Sequence, residues 1–366
     1  MAEHDFMPLD GWDHVELWVG NAKQAAYFYE HALGFSRTAY AGPETGVRDR
    51  ASYVLEQGDI RLVVTSGLRE DCEIARFACK HGDAAKDIAL RVPDANEAYR
   101  QTVQRGATGV AEPHWVEDDL GKVELASIAT YGDVVHTFVN RTHYEGVYLP
   151  GYRPQPSPNG TPGGVGLQTI DHCVGNVELG RMNHWVEFYE RVFGMTNILH
   201  FGDEQIQTEY SALMSKVMSS GNGKIKFPIN EPAEGKKKSQ IEEYLEFNHG
   251  PGVQHIALAS ENIVKTVETL QERGLIFLAT PDAYYEDVTE RVGEIDESYD
   301  DLRRLRILAD RDDDGYLLQI FTKTLQDRPT LFFEVIERHG ATTFGEGNFK
   351  ALFESIEREQ ALRGNL

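Results

Sequence analysis

The chain has 366 residues, of which 41% are hydrophobic and 26% charged, a balance typical of a globular protein long enough for two domains. With 36 Lys and Arg against 59 Asp and Glu, its formal net charge is −23 at pH 7. Such an acidic surface repels phosphate backbones and anionic lipid, so we expect neither nucleic acid nor a membrane as a partner. No apolar run approaches the roughly 18 residues of a spanning helix. The three cysteines show no metal-type spacing, and we expect a cytoplasmic protein with free thiols.

The first elements along the chain are predicted to alternate between strand and helix. Residues 15–19 predict a strand, and Asn21 can cap a helix that ends at Gly34. Alternating apolar residues predict strands between residues 52 and 65. Residues 95–105 predict a second helix, which a following glycine ends.

The two halves of the chain repeat each other. The segment FYEHALGF at residues 28–35 recurs as FYERVFGM at 188–195, and each follows a strand with an Asp-His pair. A second pair of segments, at 80–90 and 248–258, keeps the same order. A period this long indicates duplicated domains rather than a solenoid. We therefore predict an α+β protein with an N-terminal domain, a Pro/Gly-rich linker and a C-terminal domain, at residues 1–150, 151–166 and 167–366.

The end of the chain predicts an amphipathic helix that begins at Asn348. Its apolar residues are spaced i, i+3, i+4 and i+7, namely Phe349, Leu352, Phe353 and Ile356. One face of this helix must therefore pack against the protein. The simplest interpretation is ordinary core packing.

Three ionisable residues stand inside apolar strands of the second half. His172 lies in TIDHCV, His255 in GVQHIAL and Glu334 in LFFEVI. A buried charge is costly unless it meets a cation, a metal or a proton. Two histidines and one carboxylate form the ligand set of a mononuclear non-haem iron(II) site with open positions. If the strands curl into one half-barrel, all three side chains can point to its centre.

The alternative is that these residues are unrelated, with two core histidines bonded to backbone and one salt-bridged glutamate. Their positions on three strands, equivalent in the repeat, favour the metal site. The first half keeps His14, but Asp87 takes the place of His255, and Glu145 lies near the third position. We expect a structural Asp-His pair there, without a metal.

Seven segments resemble the 4-hydroxyphenylpyruvate dioxygenase family of the vicinal-oxygen-chelate superfamily. They are IDHCVGN (170–176), EYSAL (209–213), FPINEP (227–232), VQHIA (253–257), LQIF (318–321), FFEVIER (332–338) and GEGNFKAL (345–352). The resemblance extends over nearly the whole chain. It implies a glyoxalase-like fold of tandem duplicated βαβββ modules, with curved mixed sheets forming half-barrels and the terminal helix as a lid.

The resemblance also implies a reaction and a site. One Fe(II) per chain would be bound by His172, His255 and Glu334. With O2, 4-hydroxyphenylpyruvate would become homogentisate and CO2 by oxidative decarboxylation, ring hydroxylation and side-chain migration, as in tyrosine catabolism. The implied catalytic residues are Gln254, Gln319 and Asn230. The implied substrate pocket consists of Ser211, Asn230, Gln240, Gln254, Gln319, Phe321, Phe332, Phe344, Asn348, Phe349 and Leu352. Because neighbouring strand residues face opposite sides, Gln254 needs a local bend to reach the pocket that His255 faces.

Other functions fit parts of the sequence. A 4-hydroxymandelate synthase shares the substrate, fold and ligands but hydroxylates the benzylic carbon, and the segment FPIN (227–230) favours the ring-hydroxylating branch. An extradiol catechol dioxygenase uses the same ligands and releases no CO2. A module that only binds a small molecule needs no metal triad. We also expect a homo-oligomer, either a dimer or a tetramer.

Overall fold

The computed structural model describes residues 6–157, 163–201, 212–233, 235 and 237–365, and of Glu346 only the backbone. These residues form two mixed β-sheets flanked by helices. The strands of the first sheet are β1 (Gly11–Trp18), β2 (Ser36–Ala41), β3 (Arg50–Gln57), β4 (Ile60–Gly67), β5 (Ala84–Arg91), β6 (Gly109–Asp118), β7 (Gly121–Ala129), β8 (Val135–Tyr144) and β9 (Arg153–Pro154). Those of the second are β10 (Leu167–Asn176), β11 (Thr196–Phe201), β12 (Ala212–Ser219), β13 (Lys226–Ala233), β14 (Gly252–Ser260), β15 (Leu308–Arg311), β16 (Tyr316–Phe321) and β17 (Phe332–His339).

Nine α-helices are found in the described part of the chain. They are α1 (Ala22–His31), α2 (Glu73–His81), α3 (Ala95–Gln104), α4 (Met182–Phe193), α5 (Gln240–Phe247), α6 (Ile263–Glu272), α7 (Val288–Val292), α8 (Tyr299–Leu305) and α9 (Glu346–Leu362). Two short 3₁₀ helices lie at Pro43–Thr45 and Asp282–Tyr285.

The two sheets have the same topology. The first runs β6-β7-β8-β5-β1-β4-β3-β2-β9 and the second β15-β16-β17-β14-β10-β13-β12-β11, so eight strands correspond one to one. In both, the two strands beside the central pair, β4 and β8 or β13 and β17, run parallel to their central partners. Each half contains two βαβββ units, β1-α1-β2-β3-β4 and β5-α3-β6-β7-β8 in the first. The predicted duplication, with curved mixed sheets forming half-barrels, is confirmed.

Local sequence explains where the predicted helices begin and end. The Asn21 side chain accepts a hydrogen bond from Gln24 N at 3.1 Å and so caps α1. The Asp94 side chain does the same for α3, accepting from Glu97 N at 2.7 Å. The chain leaves α3 through Gly106, whose φ of +97° few other residues adopt without strain.

The structure adds elements that the sequence analysis did not predict. Helices α2 and α5 connect the two βαβββ units of each half. A capping box starts α5, because Ser239 Oγ accepts from Glu242 N and Glu242 Oε2 accepts from Ser239 N. The acidic stretch between α6 and β15 folds as a 3₁₀ helix, α7 and α8. Within the Pro/Gly-rich segment, β9 pairs with β2 at the edge of the first sheet.

The core continues from one half into the other. One apolar cluster contains buried side chains of both sheets. Trp12 meets Phe227 edge-on with ring centroids 5.5 Å apart, and Tyr29 meets Phe333 at 5.9 Å. The halves are thus packed together, and α9 lies against β15 and α5. Within the described ranges, no helix is long and apolar enough to cross a membrane.

Candidate metal centre

Three neighbouring strands of the second sheet carry the two histidines and the glutamate. His172 is on β10, His255 on β14 and Glu334 on β17, and their exposed fractions are 1, 5 and 1%. Glu334 Oε2 lies 3.1 Å from His172 Nε2 and 3.2 Å from His255 Nε2. These three atoms are close enough together to bind one metal ion. The structure therefore brings together the set that the strand patterns predicted.

A β-bulge allows Asp171 to hold the histidine beside it. The pairing of β10 with β14 shifts by one residue between Ile170 and His172, which makes Asp171 the extra residue. Its Oδ1 atom accepts from His172 Nδ1 at 2.7 Å. Arg338 donates to both oxygens of Asp171, at 2.8 and 2.9 Å, and keeps this carboxylate ionised. In its neutral form, His172 therefore carries its proton on Nδ1 and presents the Nε2 lone pair to Glu334.

A second bulge supplies the bend that Gln254 needs. The pairing shifts again between Val174 and Gly175 of β10, and here the extra residue is Gln254 on β14. Gln254 Oε1 accepts from His255 Nδ1 at 3.0 Å. The Nε2 atom of His255 is consequently also a lone-pair donor.

When both imidazoles are neutral, none of the three atoms that face one another carries a proton. Glu334 Oε2 is buried and has no hydrogen-bonding partner of suitable geometry among the described residues. Three acceptors at these distances repel one another unless a cation or a proton lies among them. Two imidazole nitrogens and a carboxylate oxygen suit a divalent transition metal such as Fe(II), and none of the three is the thiolate that structural zinc prefers.

Burial and charge act in opposite directions on these groups. Burial raises the pKa of Glu334, but the two histidines outweigh it and hold that pKa below its usual range. Burial lowers the pKa of His172, but the carboxylates of Glu334 and Asp171 outweigh it and raise the pKa overall. At His255 burial prevails, and its pKa is lowered. The site therefore favours an ionised carboxylate and at least one neutral imidazole, the forms that bind a metal.

Two side-chain amides, one behind the other, support the second carboxylate oxygen of Glu334. Gln319 Nε2 donates to Glu334 Oε1 at 2.7 Å. Asn348 Nδ2 donates in turn to Gln319 Oε1 at 2.8 Å. Because Asn348 lies in the first turn of α9, the terminal helix supports the carboxylate, and Oε2 is left facing the histidines.

Aromatic and aliphatic side chains close one side of the site. The Phe332 ring stacks on His255 with centroids 4.8 Å apart, and Phe321 meets the same imidazole edge-on at 5.7 Å. Leu352 of α9 packs in one buried cluster with both phenylalanines. This side of the site is apolar.

A second cluster closes the side of His172. Phe344 meets the His172 ring edge-on at 4.7 Å. Phe349 of α9 packs in the cluster that contains Phe344, and its ring lies 5.2 Å from that of Phe201. The predicted aromatic residues thus surround the centre, and α9 covers it as the expected lid helix.

A pocket adjoins the centre. Its wall includes Gln254 and Phe332, which both contact His255, and Gln240 of α5. Gln240 is 5% exposed, and its Oε1 atom has no hydrogen-bonding partner within the described part of the chain. Lys323 and Glu359, also in the wall, form an ion pair of 2.8 Å.

Asn230 lies on β13, which pairs with β10. Its Nδ2 atom donates to Asn176 Oδ1 at 3.4 Å, whereas its buried Oδ1 atom has no partner among the residues that the structure describes. Ser215, opposite Asn230 on β12, has a buried hydroxyl in the same situation. Ser211 lies outside the described residues. Sequence reasoning did not single out Asn176 or Ser215.

Sequence reasoning also missed the role of Arg338, although the duplication carries the signal. In the first half, the side chain of Arg141 donates to both oxygens of Asp13, at 2.7 and 2.6 Å. Asp13 is again the extra residue of a bulge, and its Oδ1 lies 2.7 Å from His14 Nδ1. An Asp-His pair with an arginine at the equivalent strand position recurs in both halves.

The first half lacks the other two ligands. Asp87 stands at the position of His255, as predicted. Strand pairing places Thr137 at the position of Glu334, and both its backbone N and its Oγ1 donate to Asp87. Our expectation of Glu145 near this position is wrong, because Glu145 lies beyond the end of β8 and is exposed.

Another group of possible ligands, Glu297, Glu337 and His339, lies on the opposite face of β17. Here His339 Nε2 is 2.9 Å from Glu337 Oε1 and 3.1 Å from Glu297 Oε1. Glu337 Oε2 accepts from the backbone N of Ile263 at 2.7 Å. These atoms already satisfy one another, in contrast to the triad around Glu334.

Comparison with known proteins gives consistent matches in both halves. Residues 4–149 match the family described as hydroxyphenylpyruvate dioxygenase, HPPD, N-terminal, and residues 169–320 match the glyoxalase/bleomycin resistance protein/dioxygenase superfamily. A 4-hydroxyphenylpyruvate dioxygenase from Aspergillus fumigatus is 48% identical over 97% of this chain and 94% of its own length. The enzyme of the same name from Danio rerio is 47% identical over 96% of this chain and 91% of its own length.

Among solved structures, a triple mutant of 4-hydroxymandelate synthase from Streptomyces coelicolor superposes with a TM-score of 0.87. It is 36% identical, with 97% of this chain and 100% of that chain covered. Its identity is lower than that of the dioxygenases. The chain belongs to the 4-hydroxyphenylpyruvate dioxygenase family.

Proposed function

We propose that this non-haem iron dioxygenase converts 4-hydroxyphenylpyruvate and O2 to homogentisate and CO2, the ring-hydroxylating step of tyrosine catabolism. His172, His255 and Glu334 would bind one Fe(II) per chain. The observation that carries the proposal is the meeting of three buried acceptor atoms on neighbouring strands, with Glu334 Oε2 lacking a partner among the described residues. The relatives that share the family and nearly the full length carry the same enzyme name.

When bound, Fe(II) supplies open positions for the 2-oxo acid and O2 and the electrons for oxygen activation. The chain's own residues bind and orient the substrate. Phe321, Phe332 and Phe344 provide apolar surface for the aromatic ring and exclude water from the centre. Gln319 and Gln254 hold the ligands rather than leaving their orientation to solvent.

Two buried amides could bind the phenol hydroxyl of the substrate. The deprotonated 2-oxo acid tail of the substrate has no hydrogen to donate, so the phenol hydroxyl is its single donor. Asn230 Oδ1 and Gln240 Oε1 are buried acceptors without partners in the described ranges. Each therefore suits the phenol proton, and we assign the two amides to substrate binding together with Phe349, Leu352 and Ser211.

The organisation of the chain forms part of the proposal. Residues 1–150 would be a structural domain without a metal, 151–166 a linker and 167–366 the catalytic domain. The Thr137–Asp87 pair in place of a carboxylate and an imidazole supports the first assignment. Unpaired thiols at all three cysteines support a cytoplasmic location.

We also propose a homo-oligomer, a dimer or a tetramer. Exposed apolar side chains on β6 and the turn that follows it, Val110, Trp115 and Leu120, provide surface for a contact between copies. Sedimentation velocity of the full chain measures the state directly. A monomer at every concentration tested would contradict this part of the proposal.

The central test is anaerobic reconstitution with Fe(II), followed by 4-hydroxyphenylpyruvate and O2. We expect O2 uptake, CO2 release and homogentisate, identified by chromatography and mass. Hydroxymandelate would assign the synthase reaction instead. Cleavage of catechols without CO2 would assign an extradiol dioxygenase. An iron-loaded protein that takes up no O2 with either substrate would reject all three.

The duplication provides a matched control. We expect His255→Ala to abolish turnover, because one of three ligands is lost. The variant His14→Ala removes the equivalent of His172 from the first half, and we expect it to keep its turnover per folded chain. Glu334→Ala addresses a pure binding module, since lost turnover with retained binding of the 2-oxo acid contradicts that alternative.

A further inference from the structure

Tyr284 stands at the end of a chain of hydrogen bonds that begins at Glu334. It lies in the 3₁₀ helix between α6 and α7, and its Oη donates to Asn348 Oδ1 at 2.6 Å. Asn348 donates to Gln319, and Gln319 donates to Glu334. Four side chains from the 3₁₀ helix, α9, β16 and β17 thus form one connected series, which we name the Tyr284–Glu334 relay.

The charge of Glu334 sets the direction of every bond in this relay. An ionised carboxylate only accepts, so Gln319 must turn its NH2 group to Glu334 and its carbonyl to Asn348. Asn348 must then turn its NH2 group to Gln319, which leaves its own carbonyl at the far end. A hydrogen-bond donor is therefore required there, and Tyr284 supplies it.

The Tyr284 hydroxyl is itself oriented. It accepts from the backbone N of Ala309 at 3.0 Å, so its proton points away from that amide. The carbonyl of Ala309, at 2.8 Å, competes with Asn348 for this single proton. The guanidinium of Arg291 lies 5.0 Å above the Tyr284 ring and holds the ring in place.

The same region anchors the start of α9. Asp310 Oδ2 accepts from the backbone N of Gly347 at 2.8 Å and of Asn348 at 3.2 Å, and Arg291 pairs with Asp310 at 3.2 Å. Gly345 has a φ of +64°, and a Cβ there would lie 2.5 Å from Asp310 Cβ. The start of α9 can therefore pack closely against β15. Asn348 takes part both in this contact and in the relay.

We propose that Tyr284 is a positioning residue for Glu334, and that the relay couples the seating of α9 to the orientation of the metal-binding carboxylate. This rests on the proposed function in so far as Glu334 is a metal ligand. Tyr284 contacts neither substrate nor metal and acts through Asn348 and Gln319. Without its proton, both amides can turn over, and the Gln319 carbonyl then faces the carboxylate and repels it.

Two adjacent tyrosines make the test specific. Tyr285 Oη donates to the carbonyl of Ile307 at 3.1 Å and lies outside the relay. The full metal-free chain is titrated anaerobically with Co(II), and the affinity and the visible spectrum are recorded. We expect Tyr284→Phe to weaken Co(II) binding about tenfold and to change the spectrum. Tyr285→Phe should change neither. Unaltered binding in Tyr284→Phe, or equal losses in both variants, would overturn the proposal.

A double-mutant cycle tests the path. If Tyr284 acts through Asn348, the variant with both Tyr284→Phe and Asn348→Ala binds Co(II) no more weakly than Asn348→Ala alone. Additive losses of Co(II) affinity would show that Tyr284 does not act through Asn348.

Glu334→Ala in the same titration separates the two proposals. A loss of Co(II) binding there, without homogentisate from the iron-loaded wild type, rejects the reaction and leaves the relay standing on its own titration. Unaltered Co(II) binding in Glu334→Ala rejects the metal site and the relay with it.

Discussion

Arg338 donates hydrogen bonds of 2.8 and 2.9 Å to the two carboxylate oxygens of Asp171. Through Asp171 it favours a His172 proton on Nδ1, so an arginine that the sequence analysis did not single out orients a proposed metal ligand. In the first half, Arg141 donates the same pair of hydrogen bonds to Asp13, but the metal triad is not repeated among these strands. The two arginines therefore separate a structural effect from a functional one.

Arg338→Met should weaken both the fold and the metal site. The variant removes both guanidinium hydrogen bonds from the buried Asp171 and leaves Lys226, 3.9 Å from Oδ2, as the nearest cation. We therefore expect a loss of about 3 kcal/mol in the free energy of unfolding. Co(II) affinity should fall at least about tenfold, because His172 loses its fixed orientation. Urea unfolding and Co(II) titration measure the two effects. Arg141→Met should show a similar loss of stability with full Co(II) affinity. If both variants lose affinity equally, the arginine acts only on the fold.

Asn230→Leu and Gln240→Leu should identify the residue that binds the phenol. Removing the acceptor of the phenol proton should reduce the preference for 4-hydroxyphenylpyruvate over phenylpyruvate about tenfold, since one hydrogen bond of about 1.4 kcal/mol is lost. The ratio of kcat/KM values for the two substrates is the measurement. The variant of the amide that does not bind the phenol should lower the kcat/KM values for both substrates by the same factor. An unchanged ratio in both variants would remove these amides from the phenol site.

His136 should make stability depend on pH in weak acid. It is fully buried between the halves, with Nδ1 3.0 Å from the Ile88 carbonyl and Nε2 2.9 Å from Tyr189 Oη. Burial lowers its pKa from 6.5 to about 4. The unfolded chain therefore binds more protons between these values, and stability falls as the pH drops from 6.5 towards 4. The expected loss is about 3 kcal/mol at 1.36 kcal/mol per pH unit.

Unfolding by urea from pH 7.5 to 4 measures this dependence. The variant His136→Gln keeps a polar side chain without a titrating ring, and its stability should fall less over the same range. An identical pH profile in the variant would show that other groups control the dependence.

Two substitutions in the first half should create a second metal site. His14 is already held by Asp13 as His172 is held by Asp171, so Asp87→His with Thr137→Glu restores the missing ligands. We expect Co(II) stoichiometry to rise from one to two per chain. Asp87→His alone, which offers only the imidazoles at positions 14 and 87, is the control and should stay at one. A stoichiometry of one in the double variant would show that the first half has lost the required geometry.

The outline of the fold could be predicted because it depends on short-range patterns. Recurring segments revealed the duplication, and caps such as Asn21 marked where helices begin, whereas α1 ends at His31, before the predicted Gly34. Helices α2 and α5 escaped prediction, since each is short and its apolar face is defined by the sheet it covers. Glu145 was misplaced because only the pairing of β5 with β8 determines which residue of β8 faces the site.

By itself, the sequence determined that two histidines and a carboxylate stand in apolar strands, where an unpaired charge is too costly to remain without a partner. Tertiary structure decided how they meet. The bulges at Asp171 and Gln254 arise from a mismatch between two strands, which neither strand encodes alone. The contact of Arg338 with Asp171 and that of Tyr284 with Asn348 join segments that are distant in the chain. Such contacts depend on register and packing, and these exist only once the sheet has closed.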